Sequence, residues 1–113
     1  MSAFGIKVTI VEPGFVRTDF LDVSSIRHGS KSIPDYVESA AQVKQFVSKN
    51  NHQQTGDPDK LALAIVRLAN EANPPLRFLA GSDAFGLATE KLNAMKDEFK
   101  RWRELTISTD GNF

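Results

Sequence analysis

Apolar residues along this chain follow two different periods. From Ile6 to Val11 β-branched residues dominate, with Ile6, Val8 and Ile10 alternating against Lys7, Thr9 and Val11, and this predicts a strand covered on most of both faces. Pro13-Gly14 then breaks it. Between Phe15 and Gly56 the pattern turns polar and irregular, through Ser24, Ser25, Gly29, Ser30 and Ser32, and it predicts one helix beginning near Pro34 with Tyr36, Ala40, Val43 and Val47 on a shared face. A second helix should follow Asp57, whose carboxylate can accept the free N–H groups of the first turn while Pro58 takes the position that needs no donor. Leu61, Ile65, Leu68 and Ala72 form its expected buried stripe. Asn73-Pro74-Pro75 stops that helix, and Leu76 to Ala80 predicts a short strand closed by Gly81. The last helix is expected over roughly Leu87 to Glu104, with Leu92, Met95, Phe99 and Trp102 on one face and Glu90, Lys91, Asp97, Lys100 and Arg101 on the other.

This order is that of a β-α-β unit with a long insertion in its connection, which sets the fold class as α/β with two parallel strands and about three helices. An insertion of roughly 40 residues directly after a strand is usually functional when it is ordered. The carboxyl end of a strand is also where open α/β sheets bind ligands.

Composition narrows the partners. Lys plus Arg equals Asp plus Glu at 14 each, so no basic excess draws the chain to nucleic acid or to anionic lipid. No stretch approaches the ~18 apolar residues of a membrane span, and the first residues lack the pattern of a secretory signal. The absence of cysteine removes disulfides, zinc-thiolate sites and thiol nucleophiles, and suits a reducing cytoplasm, the expected location.

Candidate chemistry concentrates after the first strand. The Pro13-Gly14 turn fixes one φ angle and frees the next, which lets backbone groups approach a flat ligand. Thr18 presents a hydroxyl four residues later, although Thr18 and Asp19 could equally cap a short helix. Phe15 and Phe20, with Tyr36 and Phe46, could close over a substrate and exclude water. His28 and His52 lack a neighbouring His, Asp or Glu at ligand spacing and read as surface residues, so no metal site is expected. Asp57, Asp59 and Asp83 read as structural, with Asp57 and Asp59 at a helix start that favours negative charge. No nucleophile, base and orienting group can be put together, so no catalytic residue is assigned.

Three stretches carry a family resemblance: Phe4 to Gly14; Gly56-Asp57-Pro58-Asp59-Lys60 with Pro74 to Ala84; and Trp102 with Ser108-Thr109-Asp110. Taken in order, they resemble the carboxyl-terminal third of a short-chain dehydrogenase/reductase, whose members often carry Pro-Gly-x-x-x-Thr, here Pro13 to Thr18. The resemblance implies a partial NAD(P)-binding Rossmann-like domain over residues 1–113, the end of a doubly wound parallel sheet. Residues 14–56 would be the substrate lid, and 57–113 the helix, last strand and terminal helix.

By the same resemblance Pro13, Gly14, Val16 and Thr18 would bind the cofactor, NAD or NADP. The Val16 backbone would meet the carboxamide and Thr18 would add its hydroxyl, with Phe15 and Phe20 in the lid over a small alcohol or carbonyl substrate. Two family features are missing from this sequence. The glycines stand at 5, 14, 29, 56, 81, 86 and 111, so no glycine-rich phosphate turn is present. The only tyrosine is Tyr36 and position 40 is Ala40, so the Tyr-x-x-x-Lys proton donor is absent as well. Tight nucleotide binding by this chain alone is therefore not expected.

Met1-Ser2-Ala3-Phe4-Gly5 fits the end of the helix that bears that pair in the family, which makes Met1 an expected internal residue of a longer parent. An interior strand with one edge unpaired leads to the expectation of a homo-oligomer or a partner-dependent chain. The alternative reading is a non-catalytic interaction module that pairs with short-chain dehydrogenase subunits.

Overall fold

A computed structural model describes residues 2–112. The Met1 expectation lies outside them. Two parallel strands, β1 (Ile10–Pro13) and β2 (Arg77–Ala80), form the sheet, with Ile10 opposite Arg77 and Pro13 opposite Ala80. β1 is shorter than the alternation predicts and starts four residues later. A strand needs a partner, and β2 offers only four residues. Upstream of it the chain stays attached through Thr9 Oγ1, which donates to the Pro75 carbonyl at 2.7 Å.

The connection contains α1 (Val37–Asn50), introduced by a 3-10 turn over Pro34–Tyr36, and α2 (Pro58–Ala69). Asp57 caps α2 as expected, its Oδ1 accepting from the N–H groups of Asp59 at 2.9 Å and Lys60 at 3.3 Å. α2 ends before the prolines, because Asn70 caps it and donates its side-chain amide back to the Val66 carbonyl. Ala72 thus falls outside the helix that its spacing suggested.

The last helix begins earlier than its apolar stripe indicates. α3 runs Ser82–Arg101, and α4 (Arg103–Ile107) follows a break at Trp102. Gly81 permits the early start by turning the chain at φ 111°, and the Asp83 carboxylate accepts from the Ala84 N–H inside the first turn.

Burial departs most from the pattern. Among the described residues only Ala84 and Gln54 are buried, and Ile6, Val8 and Ile10, predicted interior, are each 42–50% exposed. The face of α1 through Tyr36 and Val43 and the stripe through Leu92, Met95, Phe99 and Trp102 are open as well. These patterns encode faces that need cover, and this chain brings too few layers to supply it.

Candidate functional site

The site is built at the carboxyl ends of the two strands. β1 ends at Pro13, which needs no N–H on the outer edge of a sheet, and the Gly14 N–H donates to the Ala80 carbonyl at 2.9 Å, carrying the pairing one residue further. The chain then leaves as the long insertion and returns to its starting point. Val16 forms a parallel bridge with Gly56, in which the Arg17 N–H donates to the Gly56 carbonyl at 2.8 Å and the Gly56 N–H to the Phe15 carbonyl at 3.0 Å. Arg17 Nε adds a bond to the Gln54 carbonyl at 2.8 Å. The insertion is therefore a loop tied at its neck.

This neck decides what the Val16 peptide can do. The bridge uses the groups of Phe15, Arg17 and Gly56, so among the described residues the N–H and C=O of Val16 make no hydrogen bond. A half-exposed backbone donor and acceptor side by side can bind the edge of an amide. Val16 also lines a hollow of about 300 Å³ bounded by Gly56, Lys60, Leu61, Phe78 and Gly81.

Thr18 caps a short 3-10 turn, Asp19–Leu21, its hydroxyl accepting from the Phe20 N–H at 3.3 Å. The hydroxyl proton remains available to a ligand, so both roles open in the sequence are compatible. Phe15 packs on Phe46 of α1 with ring centroids 6.1 Å apart and planes tilted by 57°. Phe20 and Tyr36, 78% and 63% exposed, do not join them.

A second tie lies deeper in the insertion and was not legible from spacing. Asp22 accepts from the Ser24 N–H at 3.1 Å and the Ser24 hydroxyl at 2.8 Å, and its other oxygen accepts from the Asn51 side-chain amide at 3.0 Å, across 29 residues. His52 Nε2 stands 3.6 Å from Asp22 and 3.7 Å from Asp19. His52 thus has carboxylate neighbours that spacing in the sequence does not show, because tertiary folding supplies them, and its side chain stays about half exposed. It also adopts φ 56°, uncommon for a residue with a Cβ. Hydrogen bonds from Asn51 and then Ser24, with the His52 charge a smaller contribution, hold the Asp22 carboxyl far below the usual range.

Asp83 plays a part the sequence did not suggest. Its Oδ2 accepts from the Phe15 N–H at 2.8 Å and its Oδ1 from the Ala84 N–H at 2.9 Å, and these bonds, Phe15 first, lower its pKa. Among the described residues no group of three or more His, Cys, Asp or Glu could hold a metal ion, and no helix is long and apolar enough to cross a membrane.

No family model matches the chain. It is 31% identical over 109 residues to the oxidoreductase BOA17 of Botryotinia fuckeliana, covering 96% of this chain and 39% of that one. It is also 32% identical over 78 residues to a 3-ketodihydrosphingosine reductase of Bacteroides thetaiotaomicron, covering 69% of this chain and 29% of that protein. The fold is similar to the crystal structure of a short-chain dehydrogenase from Streptomyces avermitilis, with a TM-score of 0.70, 34% identity, and coverage of 96% of this chain and 38% of that one. The chain thus spans about two fifths of the length of BOA17 and of the Streptomyces avermitilis dehydrogenase.

Proposed function

We propose that this chain, which in sequence and fold corresponds to the carboxyl-terminal part of the short-chain dehydrogenase/reductase domain, supplies the nicotinamide-facing wall and the substrate lid of an NAD(P)-dependent oxidoreductase site. The observation that carries this reading is the free N–H and C=O pair of Val16, held open beside the neck bridge to Gly56.

The residues present fit a nicotinamide amide. Val16 can donate to its oxygen and accept from its nitrogen, while the Thr18 hydroxyl, already fixed by Phe20, can donate a further bond. Bound there, the cofactor would exchange hydride with the carbon of a small alcohol or carbonyl compound. Phe15, packed on Phe46, would lie over such a transfer and help to exclude water from it once the site is completed. The glycine-rich phosphate turn and the Tyr-x-x-x-Lys pair are not in this sequence, so the activity requires polypeptide that carries them. We place the assembly, a homo-oligomer or a complex with such a partner, in the cytoplasm.

A chimaera tests the proposal. Residues 1–113 replace the matched segment of the Streptomyces avermitilis dehydrogenase, and NADH and NADPH binding is titrated by fluorescence. Thr18→Val should weaken binding roughly five- to tenfold, the equivalent of one hydrogen bond of about 1 kcal/mol. A folded chimaera that binds either nucleotide equally well with and without Thr18→Val would overturn the assignment of that residue, and one that binds neither would overturn the wall itself.

A second reading, a non-catalytic module that pairs with short-chain dehydrogenase subunits, is favoured by one observation. Leu92, Phe99, Trp102 and Leu105 are all more than half exposed on α3 and α4. Co-purification with an intact relative, without effect on its nucleotide affinity, would select this reading.

A further inference from the structure

We propose that Asp83 is the positioning residue of the Pro13-Gly14 turn, and that position 14 is glycine because the Asp83 carboxylate fills the space a side chain would need. Three observations converge on it. The carboxylate reaches from the first turn of α3 to the Phe15 N–H at 2.8 Å, across 68 residues of sequence. A Cβ built on Gly14 would collide with both carboxylate oxygens of Asp83 and with its Cγ, and one on Gly81 would come within 2.6 Å of Oδ1. The φ of Gly14 lies outside the left-handed region, which among the described glycines only Gly5 and Gly81 occupy. Backbone freedom, the reason the sequence suggested, therefore does not explain Gly14; the approach of Asp83 does.

The clamp has a direct geometric effect. Phe15 N–H is held by Asp83 while Phe15 C=O is held by Gly56, so both polar groups of the residue preceding Val16 are fixed. The Val16 peptide is thereby aimed without using its own groups. No basic side chain among the described residues lies within ion-pair distance of Asp83, so backbone N–H groups alone stabilise its charge. An alanine at position 14 would force the carboxylate aside and break the bond to Phe15. Gly14→Ala and Asp83→Ala are accordingly two ways of causing one event. The consequence for hydride transfer rests on the cofactor reading above; the clamp itself does not.

Gly14-Phe15 is the only Gly-Phe step in the sequence, so the chain labelled with carbonyl-13C glycine and 15N phenylalanine gives a single selected amide signal, that of Phe15. In the protein as it purifies, that signal should lie downfield, as a bond to a charged acceptor requires, and move upfield on acidification with a midpoint below the usual carboxylate range. Asp83→Asn should abolish the titration. Gly14→Ala is labelled instead with carbonyl-13C alanine and 15N phenylalanine, in which Phe15 gives the one signal that wild type labelled the same way, with only Phe4 and Phe85 selected, does not show. In it the titration should be abolished although Asp83 is intact, and the double variant Gly14→Ala, Asp83→Ala should lie no further from wild type than either single change. A random-coil Phe15 signal in the wild type, one that does not titrate, or a titration that survives Gly14→Ala would each overturn the proposal. Addition of NADH to the chimaera described above separates the two inferences: a clamp signature that persists while the signal ignores the nucleotide counts against the cofactor wall and supports the clamp.

Discussion

At the scale of single residues, the glycines show how differently one residue type is used. Gly56 lies under the neck of the insertion, where a Cβ would meet the Phe15 carbonyl oxygen at 2.7 Å and the Val16 Cα at 3.0 Å, both backbone atoms that cannot swing away. Gly86, in the interior of α3, has nothing within 4 Å of such a Cβ. Gly56→Ala should therefore destabilise the fold by roughly 1–3 kcal/mol, the usual effect of overpacking. Gly86→Ala should stabilise it by about 0.5–1 kcal/mol, since a mid-helix glycine gives up more backbone entropy than alanine. Thermal melts of the two variants check both signs, and a Gly56→Ala protein as stable as wild type would mean that the neck is not closed in solution. Position 14 completes the series: its glycine reads correctly from the sequence as important, but for the wrong reason, because a carboxylate 69 positions away leaves no mark in local pattern.

At the scale of elements, the insertion is a loop held at two levels, by the Val16–Gly56 bridge at its neck and by Asp22 with Asn51 and His52 further along. The inner tie depends on charge. Asp22 is held below its ordinary pKa in the folded chain, so its contribution to stability is complete above the unfolded value near 3.9 and is lost as pH falls through the lower folded value. Limited proteolysis at the Ser24–Ser32 segment should therefore stay slow from neutral pH down to about 4, and Asp22→Ala should accelerate it at neutral pH to the rate wild type reaches only in acid. Equal rates for Asp22→Ala and wild type at neutral pH would show that the tie does not restrain the insertion. Elements whose signals are local were legible in the sequence: the Asp57-Pro58 start of α2, the Pro34 entry to α1 and the Gly81 end of β2 all stand where they were expected. What local pattern could not give were the ends set by tertiary partners. β1 starts at Ile10 because β2 is short, and α3 starts at Ser82 because Asp83 satisfies its first turn. The Asp22 tie joins an Asp-x-Ser segment to an Asn-His pair that carry no recognisable spacing.

At the scale of the whole molecule, the chain is far more open than its size implies. Its accessible surface is 10,057 Å², against about 6,200 Å² for a folded monomer of 12.5 kDa. Its radius of gyration is 20.8 Å, where a compact domain of this length has about 13 Å. The uncovered area is apolar where the sequence placed interior faces: Ile6, Val8 and Ile10 on the strand segment, and Leu92, Phe99 and Trp102 on the last helix. Sequence pattern thus marked faces suited to burial that this chain does not itself bury. The fold class, the two parallel strands and the place of the Pro-Gly turn were all legible for the same reason, since they depend on local chemistry and strand order. As proposed above, this chain would be one wall and the lid of a site completed by other polypeptide. Sedimentation velocity of the purified 113-residue chain with NADH present, followed through the absorbance of the reduced nicotinamide, tests it most directly. The expected result is an associated or markedly extended species with the nucleotide left behind in free solution. A compact monomer that carries NADH down the cell would contradict it.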